Sequence, residues 1–393
     1  MTLRIEAGGM IDVSQRVYIE NAAILVDGNR IIEAGDSRDV ARGDETIRLP
    51  DSTLMPGIVD AHTHISFNMG EQPVGSLDRG SAVVRAIRAT RYLRQDLLAG
   101  ITLVRVVGEM EFLDITVKHS IEAGIIPGPR MITATRGLAA TNGHGGEWPG
   151  NAVDGPDEMR KAVRTNLRRG ADLTKLLVTG SVDHFGGHFA CGFTPEEIAV
   201  AAEETHRVGK PVCAHSVRSE DVRICVENGV DAIEHGHMID APAIEAMLRH
   251  DSWLVATLAI AMDEELLASD LEENPEFAEV EWLPRRAAAP EAYRQAVASG
   301  VKWTCGTDAM HGRMSDEIYW LARIGIDPMD VLVAATQSGA EICGLGSDLG
   351  SLDSGKLADI IAVRGNPLED ISAVASVDLV IKDGVRVDDR VFP

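Results

Sequence analysis

Short apolar runs recur through the middle of the chain. They occupy residues 54–64, 101–107, 130–134, 173–178, 211–215, 232–235, 253–258 and 302–307. Between them lie stretches in which apolar residues return every three or four positions, as at 156–169 and 195–208. The short runs have the length and near-continuous apolarity of strands buried on both faces. The longer stretches have the period of amphipathic helices. Eight strands alternating with helices predict an α/β fold, a (β/α)8 TIM barrel spanning residues 56–345. A doubly wound open sheet is the alternative, but no Gly-rich phosphate loop follows a strand to support it.

The two ends carry a different pattern. Ala22 to Val26, then Asp27-Gly28-Asn29, then Ile31 to Ala34, is a hairpin signal. Residues 356–363 form another apolar strand, and 379–387 a second hairpin around Asp383-Gly384. Neither end is long enough to fold alone. Residues 1–55 and 346–393 are therefore expected to pair into one small composite β-sandwich, with the barrel inserted between them.

Composition narrows the function. The chain has 393 residues, 45% of them hydrophobic, an ordinary globular content. No apolar stretch is long enough to span a bilayer, and the first residues lack a basic and apolar leader, so a cytoplasmic protein without membrane contact is expected. A formal charge of -24 repels phosphate backbones and argues against nucleic-acid binding. Cys191, Cys213, Cys225, Cys305 and Cys343 are odd in number and show no CxxC pairing, against a disulfide framework or a thiolate zinc site. Cys213 and Cys305 read as small core residues.

The chemistry is carried by strand ends. The run 55–64 closes on His62-Thr63-His64, and residues i and i+2 of a strand share a face, so two imidazoles stand side by side. Lys175, His215, His235 and Asp308 also fall at C-terminal strand ends, which in a barrel converge on one face. Four imidazoles, a lysine and a carboxylate crowded together would be poorly paired and costly to bury without a metal. These matches resemble the amidohydrolase superfamily in its binuclear form, near its dipeptidase-like and imidazolonepropionase-related branches. They are Pro56-Gly57-x-x-Asp60-x-His62-x-His64, Lys175, Ala214-His215, Ile233-Glu234-His235-Gly236 and Gly306-Thr307-Asp308, with Gly355-Lys356-x-Ala358-Asp359 and Asn366-Pro367-Leu368 near the end.

The resemblance implies two divalent cations, zinc by default. His62 and His64 would hold the more buried ion, and His215 and His235 the more exposed one. Asp308 would ligate and act as base, and Lys175 would be carboxylated to a bridging carbamate. It implies amide hydrolysis by a hydroxide shared between the ions, on an N-acyl amino acid or dipeptide-like small molecule, and a homo-oligomer. His144 would then donate to the substrate carbonyl oxygen. Arg223 matches a carboxylate-binding arginine, but the tyrosine of that branch is replaced by Val217, with Arg218 as a neighbouring substitute. A mononuclear deaminase or cyclic-amide hydrolase, a lactone or carbamate hydrolase, and a non-catalytic relative of the same fold are the alternatives. Lys175 argues against the mononuclear readings, and the complete set of six against the last. His184, His188 and His311 are candidate pocket residues, His237 a neighbour of the ligands, and Trp148 and Trp303 candidate walls. His119, His206 and His250 are expected at the surface.

Overall fold

The computed structural model describes residues 1–71, 80–141, 143–145, 150–180, 191–273, 275 and 278–387, with 270 and 273 described by main chain only. Seven strands from the two ends of the chain join in one sheet, in the order β17-β16-β15-β4-β1-β2-β3. They are β1 (Thr2–Asp12), β2 (Val17–Asp27), β3 (Arg30–Asp36), β4 (Glu45–Pro56), β15 (Ile360–Arg364), β16 (Val377–Lys382) and β17 (Val385–Arg386). Both hairpins turn through two residues: Asp27 faces Arg30, and Lys382 faces Val385. Asp383 and Gly384 both take positive φ, as the tight primed turn requires.

The two layers expected of a sandwich are two halves of this one sheet. Ile5, Met10, Ile24 and Val26 from one half share a buried cluster with Leu54, Ile360, Ala362 and Ile381 from the other. The far edge comes back as well: Ile31 N–H donates to the Lys356 carbonyl at 2.9 Å, and Gly355 N–H to that of Ile31 at 2.8 Å.

The barrel strands are β5 (Ile58–Thr63), β6 (Ile101–Val106), β7 (Arg130–Thr133), β10 (Thr174–Leu177), β11 (Val212–Arg218), β12 (Ala232–Met238), β13 (Trp253–Ala256) and β14 (Lys302–Cys305). All run parallel to their neighbours. Each overlaps one of the runs picked out by apolarity, with β11 and β12 continuing to Arg218 and Met238, beyond the runs 211–215 and 232–235. The ring is completed by main-chain bonds beyond the regular ladders. Asp172 N–H donates to Thr133 O at 2.7 Å, and Asp308 N–H to His62 O at 2.9 Å. Two short strands, β8 (Gly137–Ala139) and β9 (Gly150–Ala152), are additions that periodicity does not reveal. The third barrel strand breaks at Thr135, whose φ is 62°, and its continuation β8 pairs with β10 instead of β6.

Helices behave as their patterns predict. Pro195–His206 begins at Thr194, whose hydroxyl and Glu197 form a reciprocal capping box. Gly155–Arg169 ends at Gly170 with φ 106°. Cys213 and Cys305 are buried and all five thiols are free. Among the described residues no helix is long and apolar enough to cross a membrane.

One buried carboxylate ties a helix to a strand end. Glu317, on helix Met314–Arg323, accepts N–H bonds from Leu258 at 2.8 Å and Ala259 at 2.5 Å. Desolvation outweighs these bonds and pushes its pKa up to about 8. Folding therefore favours the protonated form. This contribution is full below the ordinary glutamate value and is lost as pH rises through about 8. The melting temperature of the wild type should fall relative to Glu317→Gln between about pH 5 and about pH 8.5. A difference that stays constant across that interval refutes the assignment.

Candidate metal centre

The paired histidines close β5 as the alternation of a strand demands. His62 Nδ1 donates to Glu234 Oε2 at 2.6 Å, and His64 Nδ1 donates to the Gly108 carbonyl at 2.7 Å. With both Nδ1 atoms engaged, both Nε2 atoms turn to a common point. They lie 3.3 and 3.5 Å from Asp308 Oδ1, a carboxylate contributed from just beyond β14.

His215 and His235 come from β11 and β12. Their ring centroids are 4.6 Å apart, and that of His235 is 4.7 Å from His62. Ligand atoms of His62, His235 and Asp308 all fall within 4.8 Å of one another. Lys175, from β10, is 1% exposed, and it interacts electrostatically with His62, His215, His235 and Asp308. The structure thus gathers all six predicted residues, though not all at strand ends as expected: Lys175 is the second residue of β10, and His215 and His235 stand midway along β11 and β12. Burial lowers the Lys175 pKa, which favours the neutral amine. Burial, with the neighbouring basic groups, holds His215 and His235 well below the usual histidine range, so both imidazoles are neutral and carry a free lone pair.

Backbone strain concentrates here. His235 has φ 72°, Asp308 φ 54° and Ala309 φ 68°, left-handed values that non-glycine residues avoid. Hydrogen bonds hold the first two. Tyr293 Oη donates to His235 O at 2.7 Å, and Asp308 N–H to His62 O at 2.9 Å. Gly306 is required at the seam: a Cβ there would meet His62 N at 2.3 Å and Asp60 Oδ1 at 2.8 Å.

Several residues that sequence reasoning passed over support the cluster. Arg105 Nη1 donates to Glu234 Oε1 at 2.8 Å and to Ala61 O at 2.9 Å, so a buried Arg105–Glu234–His62 chain runs across the barrel interior. Burial alone would raise the Glu234 pKa, but Arg105 and His62 hold it well below the glutamate range. A lone arginine and a lone glutamate, each inside an apolar strand, was the available signal for this pairing. Asp60 takes bonds from His62 N–H at 3.1 Å, Thr307 N–H at 3.0 Å and Thr307 Oγ1 at 2.6 Å, clamping the first strand to the last. Thr257 Oγ1 bonds His235 Nδ1 at 2.8 Å.

The substrate candidates divide. His144 stacks on His215 with centroids 4.5 Å apart, placing it at the cluster. Arg218 is engaged by Asp221, at 3.1 and 3.2 Å. Arg223 is exposed on helix Ser219–Glu227, whose buried face is Asp221, Val222, Cys225 and Val226, so the structure does not bring it to the cluster. His237 is buried against Thr257, its Nε2 3.1 Å from the carbonyl, with its pKa pushed down to about 3 chiefly by desolvation. His311 is a buried brace: Nδ1 meets Asp96 Oδ2 at 2.8 Å and Nε2 meets Phe67 O at 3.1 Å, so neither nitrogen is left for a substrate. Trp303 packs against the core. His119, His206 and His250 are exposed, and His184, His188 and Trp148 lie outside the described residues.

The residues fit a divalent cation. His215 Nε2 is buried without a hydrogen-bond partner, a costly vacancy that a metal bond would fill. Neutral imidazoles beside an ionised carboxylate are the donor set borderline cations prefer. Because Glu234 fixes the His62 tautomer and neutralises Arg105, Glu234→Gln should lower metal affinity about ten- to a hundredfold. It should also cost on the order of 3 kcal/mol of stability. Chelator competition and urea unfolding measure the two effects, and unchanged metal affinity would remove Glu234 from this role.

Comparison with known proteins agrees with the geometry. Residues 53–387 match the model of the Amidohydrolase family. The ochratoxinase of Aspergillus niger is 30% identical over 90% of this chain and 79% of its own length. An imidazolonepropionase of Thermoplasma acidophilum is 24% identical over 93% of this chain and 88% of its own. Among solved structures, a Xaa-Pro dipeptidase with methionine bound in the active site superposes with TM-score 0.88 at 31% identity, covering 99% of this chain and 100% of that one. The chain belongs to the amidohydrolase family and is a metal-dependent hydrolase of carbon–nitrogen bonds.

Proposed function

We propose that the chain hydrolyses the amide bond of an N-acyl amino acid or dipeptide-like substrate with two divalent cations, zinc by default. His62 and His64 would hold one and His215 and His235 the other, with Asp308 as a further ligand and Lys175, as a carbamate, supplying anionic oxygens. The observation that carries this reading is the placement of Lys175, fully buried among the imidazoles with its pKa lowered by desolvation. A neutral amine can add to CO2 with loss of one proton, and the resulting carbamate would be an anionic oxygen ligand suited to divalent cations. Names borne by relatives, ochratoxinase and Xaa-Pro dipeptidase, lend support.

When bound, the cations supply a water nucleophile near neutral pH and polarise the scissile carbonyl. This chain's residues do the rest. Asp308, held well below the usual aspartate range by His62 and His64 against the cost of burial, is ionised and accepts the nucleophile's proton. It then passes that proton to the leaving amine. His144, stacked on His215, donates to the carbonyl oxygen. Glu234, Asp60 and Thr257 hold the ligand side chains in place.

A second reading has one specific observation behind it. The compact triad His62, His235 and Asp308 suits a single ion, and an imidazolonepropionase is among the relatives. Stoichiometry separates the two readings. A cytoplasmic homo-oligomer also fits: the cysteines are free, and Val83, Val84 and Ile87 are exposed together on helix Ala82–Leu98 in a manner that suits contact between copies.

Elemental analysis should find about two metal ions per chain, falling to about one in Lys175→Ala. Asp308→Asn should keep most of its metal while kcat falls about 10²–10⁴-fold on a panel of N-acyl amino acids and dipeptides. One ion in the wild type, or wild-type turnover in Asp308→Asn, would overturn the scheme.

A further inference from the structure

Helix Leu283–Ala298 is the last of the helical segments between β13 and β14, and it begins on the face of the barrel where the strands end. Its buried side is Arg285, Ala289, Ala292, Tyr293 and Ala296, the i, i+4, i+7, i+8, i+11 stripe of a helix packed on a core. Tyr293 fixes where this stripe points, because its hydroxyl bonds the carbonyl of His235 at 2.7 Å. Arg285 lies two turns before Tyr293 on the same stripe, so it extends the inward face above the strand ends, over the imidazoles.

Arg285 is 6% exposed, and its guanidinium is only partly engaged. Nη2 donates to Glu281, one turn earlier and also buried. The group lies 5.4 Å from the Trp282 ring centroid. Nε is buried with no hydrogen-bond partner. The guanidinium is close enough to His215 and His237 to interact electrostatically with both. A guanidinium has five donors in a fixed plane and cannot shed its charge, so a buried, unsatisfied Nε–H near the imidazole cluster is a place for an anion. The two arginines expected from the sequence do not serve: Arg218 is held by Asp221, and Arg223 is exposed.

We propose that Arg285 binds the free carboxylate of the substrate and so restricts this enzyme to amides of α-amino acids, with Glu281 and Trp282 holding the guanidinium in plane. The assignment rests on the amide-hydrolase reading above. In an N-acyl amino acid the carboxylate carbon is two bonds from the scissile nitrogen, so anchoring it orients the leaving amine towards Asp308. Phe67, Ile260, Trp282 and Met310 form one apolar cluster at the same end of the barrel, which suits an apolar side chain on that amino acid.

The test compares N-acetyl-L-phenylalanine with N-acetyl-2-phenylethylamine, which differ by the carboxylate alone, on the metal-loaded wild type, Arg285→Lys and Arg285→Met. Calorimetric binding and hydrolysis are read in parallel, with melting temperature as the control for folding. The wild type should bind the acid at least about tenfold more tightly than the neutral amide. Arg285→Met should erase that preference and raise KM for the acid more than it lowers kcat, leave the neutral compound within about threefold, and Arg285→Lys should restore part of the preference. No wild-type preference for the acid, or equal weakening of both compounds in Arg285→Met, overturns the proposal. An Arg285-dependent preference in binding without hydrolysis of either compound would leave the anchor standing and remove the amide-hydrolase reading instead.

Discussion

Glu234 is the group on which the barrel interior depends. It is wholly buried, and its two carboxylate oxygens take bonds from the buried Arg105 and from His62. Either charge alone in that interior would be prohibitive. Together they are tolerated, and Arg105 uses the same nitrogen to grip the carbonyl of Ala61, next to His62 in the chain. The arrangement fixes which nitrogen of His62 faces the cluster. The charge balance of the core and the aim of a candidate metal ligand are thus one interaction.

Around this centre the structure accepts local strain to aim its ligands. His235 and Asp308 sit in left-handed backbone, the first secured by Tyr293 from a flanking helix and the second by the His62 carbonyl across the barrel seam. Asp60 and Gly306 make the closing seam so tight that His62 and Asp308 have no freedom to drift apart. A site built from five separate strands needs such fixing, because an error in any one strand moves a candidate ligand.

Much of this was legible in the sequence, for physical reasons. Buried parallel strands must be apolar, so Ile101 to Val106 and Val212 to Ala214 announce themselves, and a polar residue within or at the end of such a run needs a cause. His62, His64, Lys175, His215, His235 and Asp308 were found that way. What stayed hidden depends on side chains meeting across the fold. Arg105 and Glu234 are unremarkable until they pair. His311 looks like a ligand until Asp96 and the Phe67 carbonyl occupy both its nitrogens. Arg223 looks like an anchor until helix phase turns it outward. The break in the third barrel strand turns on the φ of Thr135, which no periodicity encodes.

The sheet built from both ends of the chain bears directly on the histidines. β4 pairs with β15, Met55 opposite Ile361 and Pro56 opposite Ile360. Gly57 N–H then donates to Asp359 O, and the very next residue, Ile58, donates to Gly100 O inside the barrel. The strand bearing His62 is therefore moored upstream to a segment synthesised some three hundred residues later. Closure over so long a span is slow to find. On a ribosome, β5 can pair with β6 early but lacks this upstream mooring until the last strands emerge, so a chain cut short before β15 would carry all six clustered residues without the contact that holds the first two from behind.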